Sequence, residues 1–297
     1  MSLCCCSAGS RRLLLSRLLL GQGRQARRPL LHLRTTATAA ASSSATSLST
    51  QQQRQVSLYV EALLDWNQRM NLTAVTDESE VMTRHVVDSL AVLPPLERAY
   101  TSRGGDISGI SLVDVGSGAG LPGLILAVAR PSWKFTLLES MRKRCTFLEH
   151  AVEVMELSNV DVVCDRAESA GQSHDFRESF DVAAARAVAE LKILAEYCLP
   201  LVRVGGLFIA AKGHDPHEEI RSAKAAVGKL GASMLDLCNG KLSSLALKNL
   251  FYGLALKILI VESMGPHGQR TAVLYLKERT TPKKYPRQPG TPSKTPL

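Results

Sequence analysis

Apolar residues return along this chain in two rhythms. Between 52 and 70, Val56, Tyr59, Val60, Leu63, Leu64 and Trp66 recur at the interval that places them on one face of a helix. Asn71-Leu72-Thr73 breaks that face. A second helix is predicted over 78–93, ending before Pro94-Pro95, because a residue ahead of proline leaves the α region. After a Gly/Ser loop at 103–109 the rhythm changes. Strand-like runs at 111–115, 134–138, 160–164, 179–184 and 207–211 alternate with helical stretches at 120–130, 142–156, 189–199 and 216–230. This alternation predicts an α/β fold, a parallel sheet with helices on both faces and ligands at the carboxyl ends of its strands. Runs at 232–238 and 271–277 are expected to close the sheet as an antiparallel pair. The long apolar span 239–260 between them has no place in the scheme.

Charge sharpens the division of the chain. Of a net +9, residues 1–60 hold eight Arg with no Lys and no acid, and residues 277–297 hold a net +5. The body between them is therefore −4. An Arg-rich, acid-free start followed by an Ala/Ser/Thr stretch at 37–50 reads as an organellar transit peptide over 1–50. The Ser/Thr/Ala stretch favours a chloroplast; the earlier Arg/Leu pattern keeps a mitochondrion as the alternative. The remaining expected divisions are a helical cap at 51–100, a catalytic domain at 101–279 and a basic, proline-rich RNA-binding tail at 280–297. Proline excludes that tail from helix or central strand. Its Lys, Arg and one Tyr suit phosphates and a stacked base, against the plainer reading of a solubilising tail. No later segment has the roughly 18 uncharged apolar residues of a membrane span. The seven Cys show no metal-ligand spacing, so no metal site is expected and the isolated thiols read as reduced.

The chemistry concentrates at Asp114-Val115-Gly116-Ser117-Gly118-Ala119-Gly120-Leu121-Pro122-Gly123, where a strand ends in an acid and a glycine turn opens an apolar helix. Glycines let backbone come close to a ligand, and the helix start offers unpaired N–H groups. Gly118, Gly120 and Gly123 satisfy the G-x-G-x-x-G pattern, weak by itself. Asp114 turns the choice, since an acid there suits the ammonium of S-adenosylmethionine (AdoMet) and repels a pyrophosphate. Glu139, at the end of the next strand, can accept both ribose hydroxyls. Glu168 and Arg186 also fall at strand ends. A dinucleotide site and a purely structural turn are the alternatives.

The residues resemble the RsmG family, also called glucose-inhibited division protein B, over roughly 55–297. The resemblance is carried by Trp66-Asn67, Asn71-Leu72-Thr73, Arg84-His85-Val86-Val87-Asp88-Ser89, the glycine turn, Leu138-Glu139-Ser140 with Lys143-Arg144, Ala167-Glu168, Ala185-Arg186-Ala187, Lys212-Gly213 and Thr281-Pro282-Lys283-Lys284-Tyr285-Pro286-Arg287. It implies a class I AdoMet-dependent methyltransferase fold, Rossmann-like, with an N-terminal helical cap. It implies methylation of guanine N7 in small-subunit ribosomal RNA, with that RNA or the small ribosomal subunit as partner. It also implies AdoMet contacts at Gly116, Leu121, Ala167, Glu168 and Arg186. A monomer is expected, with no membrane contact.

Guanine N7 carries a lone pair and no proton, so transfer needs alignment and dryness rather than a general base. The sequence is compatible: no D-P-P-Y-like motif and no Pro-Cys follow the strand at 179–184, where Asp181 to Arg186 stand instead. The expected roles are as follows. Asp114 and the turn hold the methionine moiety, Glu139 the ribose, and Ala167-Glu168 the adenine. Arg186 lies by the methyl group unless it pairs with Glu168 or Asp114. His85 meets guanine or phosphate unless it bonds Asp88. Arg84, Lys143, Arg144, Lys212, Lys283, Lys284 and Arg287 are phosphate candidates. Trp66 reads as core rather than as a stacking platform. A methyltransferase for another RNA or a small molecule, a nicotinamide dehydrogenase and a non-catalytic assembly module are the competing functions.

Overall fold

The computed structural model of the chain describes residues 48–213, 215–239 and 271–297. The transit peptide expected at 1–50 lies almost wholly outside the described residues, as does all but the first residue of the 239–260 span.

The cap begins with α1 (Thr50–Met70). Ser49 Oγ accepts the Gln52 N–H at 3.3 Å while Gln52 Oε1 accepts the Ser49 N–H at 2.8 Å, a reciprocal cap that starts the helix. Asn71 ends it in the left-handed region at φ 50°. Val56, Tyr59, Val60 and Leu63 face inward as the spacing predicts. Trp66 packs on Phe147 and His150 at ring separations of 5.7 and 5.2 Å, which makes it part of the packing. Three side chains pin α1 down by backbone bonds: Gln52 Nε2 to Val128 O at 2.7 Å, Gln55 Nε2 to Met155 O at 2.9 Å, and Tyr59 OH to Ala119 O at 2.9 Å.

The helix predicted over 78–93 is not continuous. It divides into α2 (Glu78–Val81), a π-helical stretch Met82–Val87 and α3 (Asp88–Leu90). It stops before the prolines, but these then open α4 (Leu93–Thr101), since a first-turn proline lacks only an N–H that has no acceptor there.

Seven strands form one sheet: β1 (Ser111–Val115), β2 (Lys134–Glu139), β3 (Val160–Cys164), β4 (Phe180–Arg186), β5 (Val202–Lys212), β6 (Ala232–Asn239) and β7 (Thr271–Lys277). Their order is β3-β2-β1-β4-β5-β7-β6, parallel through β5, with β7 antiparallel to both neighbours. β4 runs past its predicted end and carries Arg186. β5 starts five residues early because its register slips against β4 between Phe180 and Val182, where Gly205 at φ +83° takes up the extra chain. Between strands lie α5 (Gly123–Ala129), α6 (Arg142–Val154), α7 (Ala167–Ala170), α8 (Leu191–Cys198) and α9 (His217–Lys229). Alternate residues of the sheet feed two apolar layers. Leu112, Leu137 and Val182 pack under the cap with α5 and α6, whereas Val113, Ala183 and Phe208 pack under α8 and α9. This is the class I methyltransferase arrangement, with helices on both faces and the cap over one of them.

At the amino ends of the strands, Asp181 gathers Ser111 N and Oγ at 2.8 Å, Tyr100 OH at 2.8 Å and Arg203 Nε at 2.7 Å. Burial pushes its carboxyl up, but these bonds outweigh burial and hold it below its usual range. Asp181 is thus a structural acid, one strand length from Arg186. Beyond β7 the chain folds back over α7 and α8 and ends in one helical turn, Thr291–Lys294. The expectation of a wholly non-helical tail is corrected by that turn, which Pro292 opens at a permitted position. Among the described residues, no helix is long and apolar enough to cross a membrane.

Candidate active site

The glycine turn joins β1 to α5 at the carboxyl edge of the sheet. Gly116, Gly118 and Gly120 are all left-handed, at φ +71°, +58° and +85°, a path that a side-chain-bearing residue follows only under strain. The helix consequently starts at Gly123, three residues later than predicted. Leu121 is buried beneath the turn. Glu139, at the tip of β2, reaches across to it: Oε2 accepts Gly118 N–H at 3.0 Å and Oε1 accepts Met141 N–H at 2.8 Å. Arg144 Nη1 stands 3.8 Å from Oε2, so this cation is paired at the site rather than exposed for phosphate.

Asp114 corrects an expectation. It sits on the cap-facing side of β1 and is fully buried; Oδ2 accepts the Gly123 N–H at 2.9 Å and Oδ1 has no hydrogen-bond partner. A Cβ at Gly123 would lie 2.7 Å from Oδ2, so the acid holds the helix start and does not project towards a ligand. Burial pushes its carboxyl up to about 7, against the Gly123 bond and the Arg186 charge, which favour ionisation.

Thr73, His85 and Arg186 meet beside the turn. His85 Nε2 lies 2.8 Å from Thr73 Oγ1, and Arg186 Nη2 lies 3.5 Å from His85 Nδ1. A guanidinium can only donate, so the Arg186 contact is a hydrogen bond when Nδ1 is unprotonated, and Nε2 then donates to Thr73 Oγ1. The Thr73 bond is one that orients the ring. Tyr59 closes the group from below: it is fully buried, and Arg186 and Asp114 are both near enough to act on its hydroxyl, whose titration burial pushes far up. Arg186 therefore faces Asp114 and His85 and not Glu168.

Ala167 and Glu168 open α7 just past β3. Glu168 is buried, bonded to Arg166 Nη2 at 3.0 Å and to Gly290 N at 2.8 Å, both on Oε1. Burial opposes its ionisation, but these bonds prevail and hold its carboxyl below the ordinary range. Its side chain is thereby taken up within the protein, leaving backbone at 167–168 to border a ligand.

The cationic candidates separate. Lys143, Lys283 and Lys284 are exposed, Lys284 standing 5.3 Å over the Tyr285 ring. Arg84 pairs with Glu80 at 3.3 Å on the cap surface. Lys212 is corrected: it is only 10% exposed and its Nζ bonds Ala189 O at 2.7 Å and Glu219 Oε2 at 2.8 Å, so it braces the loop after β4. Arg287 is corrected as well, for its guanidinium grips fully buried Glu196 at 2.6–3.2 Å. Tyr59, Arg177 and Glu196 are not among the sequence candidates. Glu196 alone leaves a trace, a lone acid in the apolar run Leu191-Lys192-Ile193-Leu194-Ala195-Glu196-Tyr197-Cys198 that needs a cation from elsewhere. Among the described residues there is no cluster of His, Cys, Asp and Glu able to hold a metal.

Solved structures that resemble the chain do so slightly. The Methanococcus jannaschii fibrillarin pre-rRNA processing protein shares 14% identity at a TM-score of 0.42, covering 61% of this chain and 74% of that one. Sequence relatives are far nearer. The ribosomal RNA small subunit methyltransferases G of Staphylococcus saprophyticus and Bacillus cytotoxicus are each 40% identical over 249 residues, which is 84% of this chain and 92% of each relative. Residues 52–244 match the family described as GidB, rRNA small subunit methyltransferase G. The chain belongs to the ribosomal RNA small subunit methyltransferase G family.

Proposed function

We propose that this chain methylates guanine N7 in the small-subunit ribosomal RNA of an organelle, with S-adenosylmethionine as the methyl donor. The observation that carries the reading is the convergence, at one edge of the sheet, of the glycine turn, the Glu139 carboxylate, the 167–168 backbone and the His85–Arg186 pair. The residues present fit the donor. Glu139 stands where a ribose would present its hydroxyls, and the left-handed glycines at 116, 118 and 120 leave the turn free of side chains that would keep the donor's backbone-facing part away. Bound there, S-adenosylmethionine supplies a methyl group on a positively charged sulfur.

The chain's own residues then align, exclude water and bind. N7 needs no proton removed, so His85, set between Thr73 and Arg186, is suited to orienting a base and is not required as a general base. Arg186 donates towards the guanine carbonyl or the donor's carboxylate. Tyr59, buried under the pair, keeps water out from below. Met141 is half-exposed beside Glu139, and Lys143 sits in the first turn of α6; they offer an apolar rim and a phosphate contact. Lys283, Lys284 and Arg84 extend the cationic rim. One chain supplies all of these groups, which supports action as a monomer.

The organellar setting rests on the Arg-rich, acid-free start, with a chloroplast the preferred destination and a mitochondrion the other. The test is to map N7-methylguanosine in organellar rRNA with the gene intact, deleted, or carrying Arg186→Ala or His85→Ala. Deletion should abolish one modified site, and each substitution should reduce it at least tenfold. A full signal in the deletion line would refute the proposal.

A further inference from the structure

The tail 280–297 is held in a way that its basic composition does not require. Two buried carboxylates take it. Glu196 accepts Arg287 N–H at 2.8 Å as well as its guanidinium, and Glu168 accepts Gly290 N–H at 2.8 Å. Upstream, Thr281 N–H donates to Glu178 Oε1 at 2.6 Å. Arg177 Nη1 donates to Tyr285 O and to Gly171 O, both at 2.8 Å. Gln172 Nε2 donates to Pro286 O at 2.5 Å, and Gly171 lies so close to Pro286 that a Cβ would come within 2.8 Å of its ring.

These partners share an address. Glu168, Gly171 and Gln172 belong to α7 and its exit, the segment read above as the adenine edge of the cofactor site. A four-residue helix cannot hold its own geometry in water, so its position is set by what it packs against. Here that is α8, through buried Ala170, and the tail at both ends: Gly290 at the first turn, Pro286 and Tyr285 at the last.

We propose that the C-terminal segment is a positioning strap for the adenine side of the cofactor site, anchored at Arg287 and acting on α7 through Gly290. The inference rests on the proposed AdoMet site. Arg287 bears the tension, since Glu196 is fully buried and has no other route to a cation among the described contacts. Gly290 transmits position, because the oxygen it serves belongs to the residue that flanks adenine. The exposed Lys283 and Lys284 lie between the Thr281 contact and the Arg287 anchor, so RNA gripping them would act on the same strap.

The experiment titrates the full chain and two variants with AdoMet alone, without RNA, by calorimetry. Gly290→Pro removes the N–H that Glu168 accepts and cannot adopt φ +83°. Its affinity should fall about tenfold, the order expected for losing one hydrogen bond to a charged group. Its KM for AdoMet should rise while kcat at saturating AdoMet stays within twofold. A chain ending at Glu278 should bind more weakly still and recover when a synthetic 279–297 peptide is added. If that truncation fails to fold by circular dichroism, Gly290→Pro decides alone. Affinity within twofold of the parent in the folded variants would overturn the strap. No AdoMet binding by the parent itself would overturn the site beneath it.

Discussion

Asp114 shows how one residue can be recognised correctly and assigned the wrong task. Its position, two residues before a glycine turn, marks a nucleotide-type site, but the pleat of β1 turns it towards the cap and α5. The cost is visible in its titration. Folded, it keeps its proton up to about pH 7; unfolded, it loses it near 3.8. The folded state thus binds more protons between those values, and this group's contribution to stability falls as pH rises from about 4 to 7. Asp114→Asn keeps an acceptor for Gly123 and cannot ionise. Urea unfolding at pH 5, 6 and 8 should show the variant gaining on the parent as pH rises. Parallel curves would contradict this account.

At the scale of elements, two kinds of ion pair can be told apart by burial. Arg69–Asp65 on α1 is more than half exposed on both sides and contributes little against solvent. Arg287–Glu196 joins the tail to α8 and has one side chain fully buried. Arg287→Met leaves that buried charge the 287 backbone N–H but no cation, and should cost about 3–5 kcal/mol. Arg69→Met should leave the denaturation midpoint unmoved, and equal small shifts for both would remove the distinction. The contrast also explains what the sequence could convey. β1 matches its apolar run at both ends because a central strand covered on both faces advertises itself locally. The glycine turn and Glu139 were legible because their chemistry is local too. Glu196, Arg177 and Lys212 find partners far away in sequence, at Arg287, Tyr285 and Ala189, and no local spacing encodes such distances. The tail's composition suggested RNA; its buried anchors emerge only from the packing.

For the whole molecule, the charge reading narrows from a basic tail to a few exposed lysines. Arg287 and Lys212 are spent inside the fold, which leaves Lys283, Lys284 and Lys294 as the tail's outward cations, the first two adjacent to each other. Replacing those two with Gln should weaken binding of a small-subunit rRNA fragment at moderate salt. It should also flatten the dependence of log affinity on log salt by about 1.4 to 1.8, the slope two phosphate contacts supply. An unchanged slope would place RNA on another face. The same field argument accounts for a body that is acidic overall yet suited to an anionic polymer, since attraction is local to the rim around the cleft.

The π-helical stretch Met82–Val87 carries Arg84 and His85, and it holds one residue more than an α-helical turn of that span would. Removing any single residue there would let the ladder relax to the ordinary i to i−4 pairing and erase the bulge that carries Arg84 and His85, with the turns on either side still in register. The imidazole would then be drawn back into an ordinary helical turn and away from the place where Thr73 and Arg186 reach it. A length change of one, in a segment whose composition need not alter at all, would dismantle the pair while leaving the sheet, the turn and the strap intact.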